Sequence, residues 1–132
     1  MESKYILGIA ELDAQHEEIE AIFTAFQGAI ESEDRGHDVP DILKSLHEKV
    51  KFHFQFEESV MQIFSYPEAE EHKKSHQEIM RAVEVYNTLD WSSTNITELD
   101  LAPMELFYEQ ILSKDLRFAR HIASHKDRLG IQ

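Results

Sequence analysis

Apolar residues return every three or four positions through four long stretches of this chain, the spacing that lays them along one face of an α-helix. No stretch shows the strict alternation of a half-buried strand. The first stretch follows Asp13, a candidate N-cap, and carries Ile19, Ile22, Phe23, Phe26 and Ile30 until the polar segment 32–37, with Gly36, stops it. The second starts near Pro40, whose fixed φ suits a first helical turn, and reads Leu43, Leu46, Val50, His53, Glu57, Val60 or Met61, and Phe64. A third runs from Pro67 to near Trp91, with Ala69, His72, His76, Ile79, Val83 and Tyr86 on one side. The last begins between Glu98 and Pro103 and offers Phe107, Ile111, Phe118, His121, Ile122, His125 and Leu129. Short connections between such helices predict an all-α, up-down-up-down four-helix bundle. At 132 residues the whole of 1–132 is expected to be one domain around one core.

Charge and cysteine content narrow the function. The 26 Asp and Glu against 13 Lys and Arg leave a formal charge of −13, a field that repels phosphate backbones and anionic headgroups. No nucleic acid and no membrane are expected as partners. The absence of Cys excludes a disulfide scaffold, thiolate ligands and thiol nucleophiles. The opening MESKYILGIAELD is neither a secretory signal nor a spanning segment, which predicts a cytoplasmic protein.

The histidines carry the chemistry. His53 and Glu57 are four residues apart, as are His72 and His76, so each pair faces one direction, within about 40° around its axis. His16 and His121 fall on the stripes of the first and last helices. An imidazole among Ile, Phe and Val needs a partner, because an unpaired buried polar group costs about 1–3 kcal/mol. Any one of these is more simply a hydrogen-bonded core histidine; the set together is not. His37 and His47 read as ordinary surface or boundary residues. Imidazole with carboxylate and no thiolate favours iron, manganese, zinc or copper. Five or more His with an inward Glu suit two bridged metals better than one open ion. His-Glu-x-x-His, a Ser-centred elbow, a Gly-rich phosphate loop and the Glu-x-x-His pairs of ferritin-like proteins are all missing.

These residues resemble the hemerythrin family, and within it the single-domain bacterial members. GIAELDAQHEEI is similar to the family's opening, with Ile9, Glu11, Asp13 and Gln15 leading to His16. HFQFEESVMQIFSYPEAEEHKKSH is similar to its core pattern, on His53, Glu57, Met61, Tyr66, Pro67, His72 and His76. The resemblance implies a bundle holding two non-haem irons joined by carboxylates and an oxo or hydroxo bridge. One iron would take His72, His76 and His121, the other His16 and His53, with Glu57 between them. Dioxygen would bind at the open position of the second iron, in a dry pocket to which Ile19, Phe23, Phe118 and Ile122 contribute.

The pattern breaks at the end of the chain. The family closes on His, four residues, then a bridging Asp, but five residues after His121 stands Lys126. His125 is favoured over Asp127 as a replacement or extra ligand, since it keeps within about 40° of His121, whereas Asp127 needs a one-residue helix bulge. Water filling the gap is the third reading. Arg117 and Phe118 stand where the family has an aromatic and a Leu, which predicts a more polar pocket, and the segment from His76 to His121 is longer than usual. The expected function is non-enzymatic binding of dioxygen, for carriage, storage or sensing. Di-iron reduction of peroxide, dioxygen or nitric oxide is the alternative, followed by an iron- or redox-responsive module and by a mononuclear or zinc site. A small diatomic or peroxide ligand is the expected partner; nothing in the sequence names a protein partner.

Overall fold

The computed structural model describes residues 7–93 and 102–125. The apolar stripes become helices α1 (Ala10–Ala29), α2 (Arg35–Ile63), α3 (Ala69–Tyr86), α4 (Ala102–Gln110) and α5 (Leu116–His125). A single π-helical turn, Ile111–Asp115, joins α4 and α5 into one rod. α1 lies against α2, α2 against α3 and α3 against α4, and Phe23 closes the ring by packing on Phe107 with centroids 5.6 Å apart. The expected four-rod, all-α bundle is therefore what forms. Among the described residues no helix is long and apolar enough to cross a membrane.

Two helix starts differ from expectation for local reasons. α1 begins before Asp13, whose carboxylate reaches back to accept the Leu7 N–H at 2.7 Å and the Gly8 N–H at 3.1 Å. Asp13 thus ties down the entering chain instead of serving as the N-cap, which is Ile9. α2 begins at Arg35, so Gly36 lies in its first turn and Pro40 inside the helix. Pro40 is the sixth residue of α2, past the N–H groups that lack a helical partner, so its missing N–H leaves the Gly36 carbonyl without its helical bond. The Arg35 side chain donates to the Trp91 carbonyl at 2.7 Å and fixes this start against the end of α3.

The end of α2 explains the Tyr-Pro punctuation. Ser65 takes a left-handed φ of 51°, the Tyr66 N–H returns to the Met61 carbonyl at 2.9 Å, and the Ser65 N–H returns to Gln62 at 3.2 Å. This is a Schellman closure, and its customary apolar contact is present because Tyr66 and Met61 belong to one buried cluster. Pro67 follows, cannot continue the helix, and turns the chain into α3. Of the two residues left open in the α2 stripe, Met61 is buried and Val60 only partly so.

The interior divides into three layers. A large apolar cluster holds Phe23, Phe26, Leu43, Leu46, Val83 and Phe107 among others, and a smaller one at the opposite end holds Leu12, Met61, Tyr66, Phe118 and Ile122. Fully burying each large apolar side chain contributes roughly 1.5–3 kcal/mol. Between the clusters the stripes turn polar: His16 on α1, His53 and Glu57 on α2, His72 and His76 on α3, and Gln110 and Asp115 on the last rod, all buried.

The strained Ser65 supplies a test of the turn. A non-glycine residue in the left-handed region costs about 1–2 kcal/mol, partly offset by the extra unfolded-state freedom of glycine. Ser65→Gly should therefore raise the urea midpoint, by roughly 0.5–1 kcal/mol in stability at unchanged m-value. An equal or lower midpoint would show that the serine side chain contributes more than the strain removes.

Candidate metal centre

Each helix brings its polar residues to the same height because the ligand-bearing positions continue the apolar stripe. His16 lies between Leu12 and Ile19, while His53 and Glu57 lie between Val50 and Met61. His72 and His76 lead into Ile79, and Asp115 is flanked by Ile111 and Phe118. His16, His53, Glu57 and Asp115 each present one ligand atom, all within 4.8 Å of one another. Glu57, His72, His76 and Asp115 do the same. The two groups share both carboxylates.

Asp115 is the centre of the layer. Its Oδ2 accepts from His16 Nε2 at 3.0 Å, and its Oδ1 accepts from His72 Nε2 at 2.8 Å, so the two oxygens face different imidazole pairs. Glu57 Oε1 sits 2.6 Å from His72 Nε2 and 3.0 Å from His76 Nε2. On the other pair, His16 and His53 bring their Nε2 atoms to 3.1 Å of each other.

Outer hydrogen bonds set the tautomers of two imidazoles. His53 Nδ1–H donates to Gln15 Oε1 at 2.7 Å, and His76 Nδ1–H donates to Glu58 Oε2 at 2.8 Å. With Nδ1 carrying the proton, each Nε2 turns its lone pair inward, as a metal-binding histidine requires. His76 is held further by Phe54, whose ring stacks on it at 3.9 Å and 7°. Burial lowers the pKa of His53, and burial together with nearby His72 lowers that of His76 to about 3, so both stay neutral.

The remaining charges follow from the crowding of two carboxylates. Burial pushes Asp115 up, but hydrogen bonds from His16 and His72 outweigh it and hold this carboxyl well below its ordinary range. Glu57, buried beside that anion, is raised to about 8 and keeps its proton at neutral pH. For His72, burial favours the neutral ring, yet hydrogen bonds to Asp115 and Glu57 prevail and raise it to about 9.

The structure brings together His16, His53, Glu57, His72 and His76, and it leaves His121 elsewhere. His121 is half-buried two turns beyond Asp115, with its ring 5.0 Å from Tyr66 and its Nε2 3.5 Å from the Phe64 carbonyl. The expected register of the last helix is therefore displaced by about three turns. The residue five before Asp115 is Gln110, so the closing pattern falls on Gln110 and Asp115 and not on His121 and Lys126. Lys126, Asp127 and the side chain of His125 lie outside the described residues. Arg117 does not make the interior polar: it is exposed and donates to Glu68 Oε1 at 2.9 Å. His37 is exposed, and His47 lies at the boundary beside Glu84.

Asp115 was nonetheless visible as a signal in the sequence. It lies four residues after Ile111 and three before Phe118, in the middle of an apolar stripe where an acid has no ordinary place. Gln15 and Glu58 gave no such signal, because each is one residue away from a ligand-type position and reads as a polar neighbour.

The donors fit a metal pair. Buried Nδ1 of His16 and His72, Oε2 of Glu57 and Oε1 of Gln110 have no hydrogen-bond partner among the described residues, so the layer holds more polar capacity than it satisfies internally. Nitrogen and oxygen donors with no thiolate suit divalent first-row metals. Such a bundle, with two imidazole pairs sharing two buried carboxylates, is a metal-binding helical domain. The chain belongs to the hemerythrin HHE cation-binding domain family, whose model matches residues 7–127. In parallel comparisons neither a curated protein nor a solved structure matched it.

Metal binding must displace the protons on Glu57 and His72. At pH 7 loading of the apoprotein should release about two protons per chain, since both groups carry theirs in the free site. Apparent affinity should rise with pH and level off as His72 passes about 9. Isothermal titration in buffers of different ionisation enthalpy measures this directly; no proton release and a flat profile from pH 6.5 upward would contradict the assignment.

Proposed function

We propose that the protein is a non-haem di-iron protein that binds dioxygen, for carriage, storage or sensing, and acts by binding and not by turnover. The observation that carries the reading is the sharing of Glu57 and Asp115 by two imidazole pairs, which suits two adjacent cations better than one. His16 and His53 would hold one iron and His72 and His76 the other, with both carboxylates spanning the pair. When bound, two ferrous ions supply the two electrons that reversible dioxygen binding draws on.

The chain's own residues provide the conditions for reversibility. Phe107 lies edge-on to His16 at 6.0 Å and Phe118 lies edge-on to His72 at 6.1 Å, both fully buried. Ile19 and Phe23 extend that apolar wall on the His16 side. These side chains exclude water and with it the protons that would turn bound dioxygen into released peroxide. Gln15 and Glu58 keep His53 and His76 in the tautomer that leaves Nε2 available, so no proton has to move within those rings on loading.

The purified protein should bind two iron ions per chain, and Glu57→Ala should lose at least one, because it removes a group common to both donor sets. Removing iron should lower the melting temperature by several degrees, since ligand binding to the native state adds stability by mass action. Anaerobic reduction followed by air should give a visible charge-transfer band that vacuum reverses. Full iron loading with immediate irreversible oxidation and consumption of dioxygen or peroxide would favour the reductase reading; a single ion per chain would overturn the dinuclear one.

A further inference from the structure

We propose that Gln110 is a metal ligand, its side-chain amide oxygen completing the position held by His72 and His76. This rests on the dinuclear reading above and adds a donor of a type that reading does not include.

Gln110 is only 3% exposed, yet its Oε1 has no hydrogen-bond partner among the described residues. Leaving a buried amide oxygen unpaired costs about 1–3 kcal/mol, so a polar group in this position calls for an electrophilic partner. Its Nε2 makes one contact, 3.4 Å from Asp115 Oδ1, at the outer limit of a hydrogen bond. The amide end therefore already reaches the polar layer. Oδ1 is also the oxygen that His72 engages, while Oδ2 faces His16, which places Gln110 on the His72 and His76 side. Rotating the amide by half a turn presents Oε1 to the same place, an exchange that leaves the shape of the side chain unchanged.

The backbone is built for this approach. In a regular α-helix residues five apart point about 140° away from each other. The π turn Ile111–Asp115 begins directly after Gln110 and closes through bonds between residues five apart, which brings Gln110 and Asp115 round to the same interior. Single π turns inside α-helices are frequent at functional sites, and this one directly follows the only buried carboxamide on this rod among the described residues.

The chemistry of the ligand changes the site. Each imidazole pair supplies two nitrogens and shares two carboxylates. Gln110 adds a neutral, hard oxygen to one side only, leaving the His16 and His53 position with one donor fewer and open to an exogenous molecule. Carbonyl oxygen suits manganese, whereas imidazole suits iron, zinc, copper and nickel, so the added oxygen makes the His72 position the more tolerant of manganese.

Apoprotein titrated with Co²⁺ against a competing chelator resolves the two stepwise affinities without reference to any activity. Wild type should bind two Co²⁺, Gln110→Leu should weaken one step by about tenfold or more while leaving the other nearly unchanged, and Gln110→His should strengthen that same step. Gln110→Glu, which keeps an oxygen donor, should retain both steps, and the strengthened step in Gln110→His decides the matter should the leucine variant fail to fold. Two undiminished steps in Gln110→Leu, or unchanged affinities in Gln110→His, overturn the assignment of Gln110 alone. Fewer than two Co²⁺ in wild type overturns the dinuclear reading and this inference together.

Discussion

Asp115 is an ionised carboxylate with no solvent contact, and the arrangement of the interior follows from the need to surround it with donors. An isolated buried charge is prohibitively costly. Imidazoles from α1, α2 and α3 converge on it, so the three helices are fixed in height and rotation relative to the last rod. Apolar packing alone specifies that helices pair along their stripes but tolerates sliding by a turn. A polar layer with directional bonds does not, since a slip would leave the carboxylate and its imidazoles unmatched at once. The two carboxylates also differ in state: the anion on Asp115 keeps Glu57 protonated, a division produced by proximity and burial and not by residue type.

The apolar clusters on either side of this layer have a complementary part. They hold the rods together with side chains such as Phe23, Phe26, Leu46 and Phe118 and keep the layer dry. Dryness strengthens every bond within the layer and raises the cost of each atom left unbonded. Gln15 and Glu58 sit just outside, where they settle which ring nitrogen carries the proton. The free protein thus resembles a spring with its polar groups already aimed and several of them unanswered.

Most of the fold was legible because the stripes of α1, α2 and α3 are long and their ligand positions obey the same four-residue spacing as their neighbours. His16, His53, Glu57, His72 and His76 fall in one place for that reason. The last rod was misread through its histidines. His121 lies on the stripe and is chemically conspicuous; Asp115 also lies on it but carries no imidazole, and Gln110 is a common residue type whose burial only the tertiary structure reveals. A π turn has no simple sequence signature, so the register across residues 111–115 was not recoverable by counting 3.6 residues per turn. The starts of α1 and α2 differed because Asp13 and Arg35 act through contacts with chain segments outside their own helices.

The polar layer has a topological meaning as well. Small domains commonly link distant parts of the chain with disulfides, and this one contains no cysteine. Its layer instead joins side chains as far apart as His16 and Asp115, 99 positions along the sequence. An ion gripping several of these donors would act as a multi-ended crosslink, constraining loops in the unfolded ensemble much as a covalent bridge does when the loop is long. Unlike a covalent bridge it forms without an oxidant and comes apart with protons or a chelator, so the connectivity of the chain follows the local supply of metal.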